Sequence, residues 1–181
     1  MSLVAEVAPE IIKAAGKVAA GTELRNIFLL EGKAALAPPF VEGGCQFPKK
    51  GWGVQIGHRG KFEIHKKTLR TTLQFKFSAG EKGSAGKPLL AIAATFIAEY
   101  EMAEGFNPSS EELHAFVNAN AVFNCWPYWR EYVHSTAARM NLPPLTLPFF
   151  RVRAPRPAKQ KRLRAETGLT KKLEQQNSSK E

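Results

Sequence analysis

The stretch NCWPYWREYVHSTAARMNLPPLTLP, residues 124–148, decides how the rest of the chain is read. Its first part predicts a helix from about Ala121 to Met140. Pro127 fits only in the first turn or at a kink, because a proline inside a helix has no N–H to give and crowds the carbonyl a turn earlier. Asn141 followed by Leu-Pro-Pro ends the helix, since a residue ahead of a proline is pushed out of the α region. Four aromatic residues, Trp126, Tyr128, Trp129 and Tyr132, crowd this one helix. At about 100° per residue, Tyr128 and Tyr132 share one face and Trp129 shares another with Val133. So wide an apolar girth is covered either on two sides, by the helix's own sheet and by a second copy, or by the thick core of a single protomer. The first reading makes these four aromatics an interface between copies; leaving them wet would forfeit roughly 1.5–3 kcal/mol each.

Immediately upstream, Ser109-Ser-Glu-Glu112 is a helix start: Ser109 caps and Glu112, three residues on, completes a capping box. The short helix 109–119 turns Leu113, Phe116 and Val117 inward, and Asn118, Asn120 and Asn124 interrupt the pattern before the long helix. Before that come four stretches of period two. Residues 23–36 place Leu24, Phe28, Leu30, Ala34 and Leu36 on one face, with Asn26 as the exception. Residues 52–64 put Trp52, Val54, Ile56, Phe62 and Ile64 on even positions, and Gly57 and Gly60 predict a bulge or bend midway. Residues 68–78 alternate most cleanly, and a Gly-rich turn at 80–88 joins them to a fourth strand, 89–103. Four strands in succession read as an antiparallel meander. A helix over 8–20, stopped by Gly21, precedes them. The order predicts an α+β fold: a four-stranded antiparallel sheet with helices packed on one face. The connection 38–51, with three prolines and three glycines, carries Phe40 and Phe47, which a loop cannot bury within itself, so they dock on the body or meet a partner.

The 181 residues carry a net charge of +10, unevenly spread. Residues 151–181 hold ten Lys/Arg against three Glu, so the body before them is only mildly basic. That proline-broken segment predicts a basic, flexible tail, and its electrostatic partners are RNA, the ribosome or anionic lipid, held by strongly salt-dependent contacts. It does not interleave aromatics with its charges, as a base-stacking surface requires. No apolar run approaches the roughly 20 residues that span a bilayer. The first residues lack a basic segment and carry Glu6 and Glu10, unlike a secretory leader, and two cysteines 80 residues apart suggest no disulfide framework, so the chain reads as cytoplasmic.

Little here resembles catalysis. Every acid is a glutamate, which weakens any acid dyad or Asp-rich metal loop. His58, His65, His114 and His134 have no ligand spacing, Cys125 has no partner pattern, and the glycines at 80, 83 and 86 lack the Gly-Lys-Ser/Thr of a phosphate loop. Neither cofactor nor metal is expected, and the chain does not read as an enzyme.

Trp126-Pro127-Tyr128 with Arg130-Glu131, then Leu142-Pro143-Pro144-Leu145 with Leu147-Pro148, resemble the end of the SecB export chaperone family, whose members carry a Phe-Pro-Tyr-x-Arg-Glu helix and a Pro-x-Leu-x-Leu-x-Pro connection. Phe47 and Trp52 are similar to a Phe and Trp flanking the family's second strand. The resemblance covers about residues 22–150. It divides the chain into an N-terminal helical extension (1–21), a SecB-like body (22–150) and the basic tail (151–181). It implies an ATP-independent holdase, assembled as a dimer of dimers through helices and edge strands. Extended apolar segments of unfolded or precursor polypeptides would lie in a groove between the sheet and the loop after the long helix. Phe40, Phe47 and Trp52 would supply adaptable contact there, and Leu142, Pro143, Pro144, Leu145 and Leu147 a preformed wall. An exposed strand edge would add main-chain pairing that reads shape rather than sequence. Export members are acidic where they hold the SecA motor; this body is slightly basic, which argues against SecA as a partner. The Arg-Glu-Tyr-Val run looks closer to branches that serve toxin–antitoxin systems, whose client is an antitoxin. The alternative is a nucleic-acid- or ribosome-binding module acting through the tail.

Overall fold

The computed structural model describes residues 2–37, 52–81 and 88–153. Phe40 and Phe47, the turn 82–87 and the tail from 154 lie outside them. The elements are β1 (Ser2–Glu6), α1 (Pro9–Ala20), β2 (Thr22–Leu36), β3 (Trp52–His65), β4 (Thr68–Glu81), β5 (Leu90–Met102), α2 (Ser110–Phe116), one π turn (Val117–Ala121), α3 (Val122–Arg139) and β6 (Phe149–Arg153).

β2 to β5 form one antiparallel sheet in the order β2-β5-β4-β3. The expected meander is thereby corrected, because β2 pairs with β5 and not with β3. The reason lies in the side chains of β5. Thr95, Phe96, Ile97 and Ala98 are all buried, so this strand is apolar on both faces and takes a central position. β3, the next strand in sequence, lies at the opposite edge of the sheet.

The inner face is built from Leu69, Thr71, Leu73, Phe75 and Phe77 of β4 and Leu90, Ile92, Ala94, Phe96 and Tyr100 of β5, all buried. α3 lies over these two strands and α2 with its π turn over β3, while α1 packs chiefly on α2. Helices therefore cover one face, as the sequence predicts. β2 departs from simple alternation twice, at Arg25 and at Leu30, where the register with β5 shifts. Each shift flips the side-chain face. The first explains the exception at Asn26 and sends Phe28 outward with it; the second returns Ala34 and Leu36 to the inner face. No shift occurs at Gly57 or Gly60, since β3 pairs with β4 without interruption from Trp52 to His65. Gly60 has another reason to be glycine: a Cβ there would run into the Val117 side chain and lie 2.8 Å from Leu73 Cδ2. The π turn sits directly on the bare backbone of β3.

The helical run from Ser110 to Arg139 is continuous. Ser109 Oγ accepts from Glu112 N and Glu112 returns a bond to Ser109 N, the predicted capping box. The three asparagines do not break the run. Asn118 bonds the His114 carbonyl at 3.0 Å within the π turn, and Asn124 Nδ2 donates to the Tyr100 hydroxyl at 3.1 Å. Pro127 lies in the second turn of α3. At the other end Asn141 adopts φ 56°, its N–H bonds the Ala138 carbonyl and that of Leu142 bonds Ala137. This is a Schellman stop with asparagine in the left-handed position.

β6 pairs in parallel with β1, from Ser2–Phe149 to Glu6–Arg153. The sequence reading missed this ribbon, and its boundary between body and tail at residue 150 falls inside β6. Phe150 is buried on Trp126, ring centroids 5.2 Å apart.

Candidate functional site

Trp126 and Trp129 do not face outward. Trp129 is fully buried and stacks on Phe75 at 5.6 Å, with Tyr132 on its other side at 6.2 Å. Trp126 meets Phe75 edge-on at 6.0 Å and donates its indole N–H to the Pro148 carbonyl at 2.9 Å. The expectation that both lie between copies is corrected: side chains with no accessible area in one protomer have none to give an interface. Tyr132 is half-buried, its hydroxyl over Gly32 of β2, where a Cβ would lie 2.7 Å from the ring carbon bearing the hydroxyl. Of the large aromatic side chains of α3, Tyr128 and Phe123 are the exposed ones.

The loop 142–148 is likewise an anchor. Leu142 and Leu147 are buried in the core, Leu145 is half-buried, and only Pro143, Pro144 and Thr146 face solvent. Arg130 Nε donates to the Leu147 carbonyl at 2.8 Å, and its guanidinium lies 4.3 Å from the centre of the Phe149 ring. Leu142 and Leu147 are thus corrected from groove wall to core, because in an extended loop pinned at both ends every leucine that points at α3 is covered by it.

The open apolar surface lies elsewhere. The helices leave the first half of β3 uncovered on its inner face, where Val54 is 56% exposed, Ile56 half-buried and His58 exposed. Next to this strip run Phe75 and Phe77 of β4, and Phe75 carries the two tryptophans of α3, so the strip is a shelf between a strand edge that no described residue pairs with and the long helix. The connection that contains Phe40 and Phe47 joins β3 at this end. The sheet's other edge, β2, exposes Leu24, Phe28, Leu29 and Leu30.

His58 is the titratable group of the shelf. Its ring centroid is 6.2 Å from that of Phe75, and desolvation there holds its pKa below the ordinary 6.5. The neutral form is the one the fold accommodates. The unfolded chain binds the proton first, so this contribution to stability is complete above pH 6.5 and is lost as the pH falls below it. His58→Gln is expected to flatten the urea midpoint between about pH 7.5 and 5, by a small amount because the residue is largely open to solvent. A midpoint that keeps its slope in the variant assigns the dependence to other groups.

Nothing else has the makings of chemistry. Burial pushes the Cys125 thiol up to about 12, so it stays protonated and inert. Burial likewise raises the Tyr100 hydroxyl to about 12, against the lowering effect of the Asn124 bond. Among the described residues no cluster of His, Cys, Asp or Glu could hold a metal, and no helix is long and apolar enough to cross a membrane. The carboxylates of the outer sheet face are paired: Arg70 meets Glu99 at 2.7 Å, Arg25 bridges Glu101 and Glu23, Lys33 holds Glu31 and Lys61 holds Glu63.

No family model matches the chain. A stretch of 57 residues is 44% identical to the SecB-like chaperone Rv1957 of Mycobacterium tuberculosis strain H37Rv, and equally to the SecB-like chaperone MT2006 of strain CDC 1551. The match spans 31% of this chain and 30% of each relative's length. Among solved structures, the fold is similar to that of the Mycobacterium tuberculosis Rv1957 SecB-like chaperone in complex with a ChAD peptide from the Rv1956 HigA1 antitoxin. The TM-score is 0.63 at 23% identity, covering 77% of this chain and 98% of that one. The fold is thus that of a SecB-like chaperone.

Proposed function

We propose that the protein is an ATP-independent chaperone of the SecB type, holding extended, non-native polypeptides on the β3 shelf, with a dedicated client such as an antitoxin. The observation that carries this reading is the uncovered inner face of β3, Val54–Ile56–His58, beside a strand edge that no described residue pairs with, in a fold shared with a chaperone solved with an antitoxin peptide. An extended segment added to that edge would bond through its main chain and seat alternate side chains on the shelf. Phe40, Phe47 and Trp52 would extend the apolar contact from the connection that ends there. Such contacts discriminate little between sequences, which suits a holdase. Nothing in this mode of binding requires a nucleotide, a metal or a catalytic residue.

The exposed leucines and Phe28 on the opposite edge, β2, favour pairing with a second copy, and Tyr128 with Phe123 offers a helix surface for joining dimers. SecA is a poor candidate partner, because the carboxylates of the outer face are already paired. A cytoplasmic setting fits a chain that must meet clients before they fold.

The purified full-length protein, without ATP, is expected to suppress aggregation of a chemically unfolded client at near-stoichiometric ratio. If the folded protein gives no suppression at any ratio, the general holdase is wrong, and a single dedicated client or a nucleic acid held by the tail takes its place.

A further inference from the structure

A second cleft, of about 510 Å³, opens where the end of β1, the start of α1 and α2 meet. Its floor is apolar, from Val7, Ile11, Ala115 and Ala119, and Ile11 is exposed to solvent. Its rim carries two exposed carboxylates, Glu6 and Glu111. Among the described residues no cation lies within ion-pair distance of either, whereas nearly every glutamate on the outer sheet face is paired. An apolar floor with an unbalanced acidic rim fits a segment that is basic and carries an isolated large apolar side chain.

The chain supplies such a segment at the lip of the cleft. Glu6 and Arg153 are register partners, and the Val7 N–H donates to the Arg153 carbonyl at 2.9 Å, so β6 ends beside the rim. Residues 156–164 read RPAKQKRLR: five cations, no acid, and Leu163 as the first large apolar side chain after β6. Ten residues of extended chain reach up to about 33 Å, ample for Leu163 to return to Ile11. We propose that residues 156–164 dock in this cleft, Leu163 on the apolar floor and Lys161, Arg162 and Arg164 against Glu6 and Glu111. The tail is then a tethered basic strap on the body rather than a free arm for polyanions. This inference stands independently of the chaperone reading.

Hydrogen exchange read by mass spectrometry on the full-length protein tests it. The wild type is expected to exchange amides in 156–164 more slowly than an unstructured chain, with the protection falling between about 0.05 and 0.5 M salt as exposed pairs are screened. Glu6→Lys with Glu111→Lys is expected to cut the protection about three- to tenfold, the size that two or three exposed ion pairs give. Adding Lys161→Glu, Arg162→Glu and Arg164→Glu to that double variant is expected to restore it. Exchange at the unstructured rate in the wild type overturns the proposal. So does protection that ignores the rim substitutions, or that the charge swap does not restore, or that appears only with an added oligonucleotide.

Discussion

Trp129→Ala is expected to lower the free energy of unfolding by about 3–5 kcal/mol, a large share of the stability of a domain this size. The indole is fully buried, stacked on Phe75 and flanked by Tyr132, so its loss leaves a void that the sheet backbone on one side and α3 on the other cannot close. Its N–H has no acceptor among the described residues. Trp129→Phe, which keeps the stack and removes that orphan donor, is therefore expected to cost distinctly less. Denaturant unfolding at two protein concentrations makes the test. A core residue shifts the midpoint equally at both, whereas an interface residue shifts it more at the higher concentration, where the copies are associated. Tyr128→Ala supplies the contrast. Half-exposed on the outer side of α3, it is expected to change the protomer's stability by no more than about 0.5 kcal/mol. If Trp129→Ala acts only at the higher concentration, the aromatic girth belongs between copies after all.

The girth illustrates what the sequence can and cannot carry. Residue spacing identifies the capping-box start of α2 at Ser109 and the stop of α3 at Asn141, because these depend on neighbours within one turn. It also separates the faces of β3 and β4, where no register shift intervenes. It fails where the answer depends on a distant partner. The same four aromatics suit one thick core or two thin interfaces, and only the position of Phe75 decides for Trp126 and Trp129. The strand order needed a signal that was present and not weighed: the unbroken apolar run Thr95–Ala98 marks β5 as central. The two shifts in β2 were foreshadowed by Asn26 alone. β1 and β6 are five residues each, too short for periodicity to register, and their pairing joins opposite ends of the chain. For the candidate site, Leu142 and Leu147 were assigned to a groove although their spacing suits anchoring equally well. A proline-rich extended loop has no period that tells which side chains turn inward.

Val54→Glu is expected to weaken client holding at least about tenfold, which corresponds to about 1.4 kcal/mol, while leaving the fold intact. The argument rests on where the charge goes in each state. In the free protein residue 54 is 56% exposed, so a carboxylate there stays hydrated and costs the fold little. Under a bound apolar segment it must lose that water with no partner provided, and Ile56 and the neutral His58 beside it offer no compensation. Gln55→Glu adds the same charge one residue away, on the outward face of the same strand, beside Ser78 of β4. It changes the net charge, the isoelectric point and the edge electrostatics as Val54→Glu does, but leaves the shelf apolar. Anisotropy of a labelled unfolded segment and the ratio needed to prevent aggregation are both expected to separate the two variants, at matched melting temperatures. Equal losses in both would mean that clients respond to charge and not to the shelf. No loss in Val54→Glu would move the binding surface to the other apolar edge, β2, where Leu24 and Leu29 share the inner face with it.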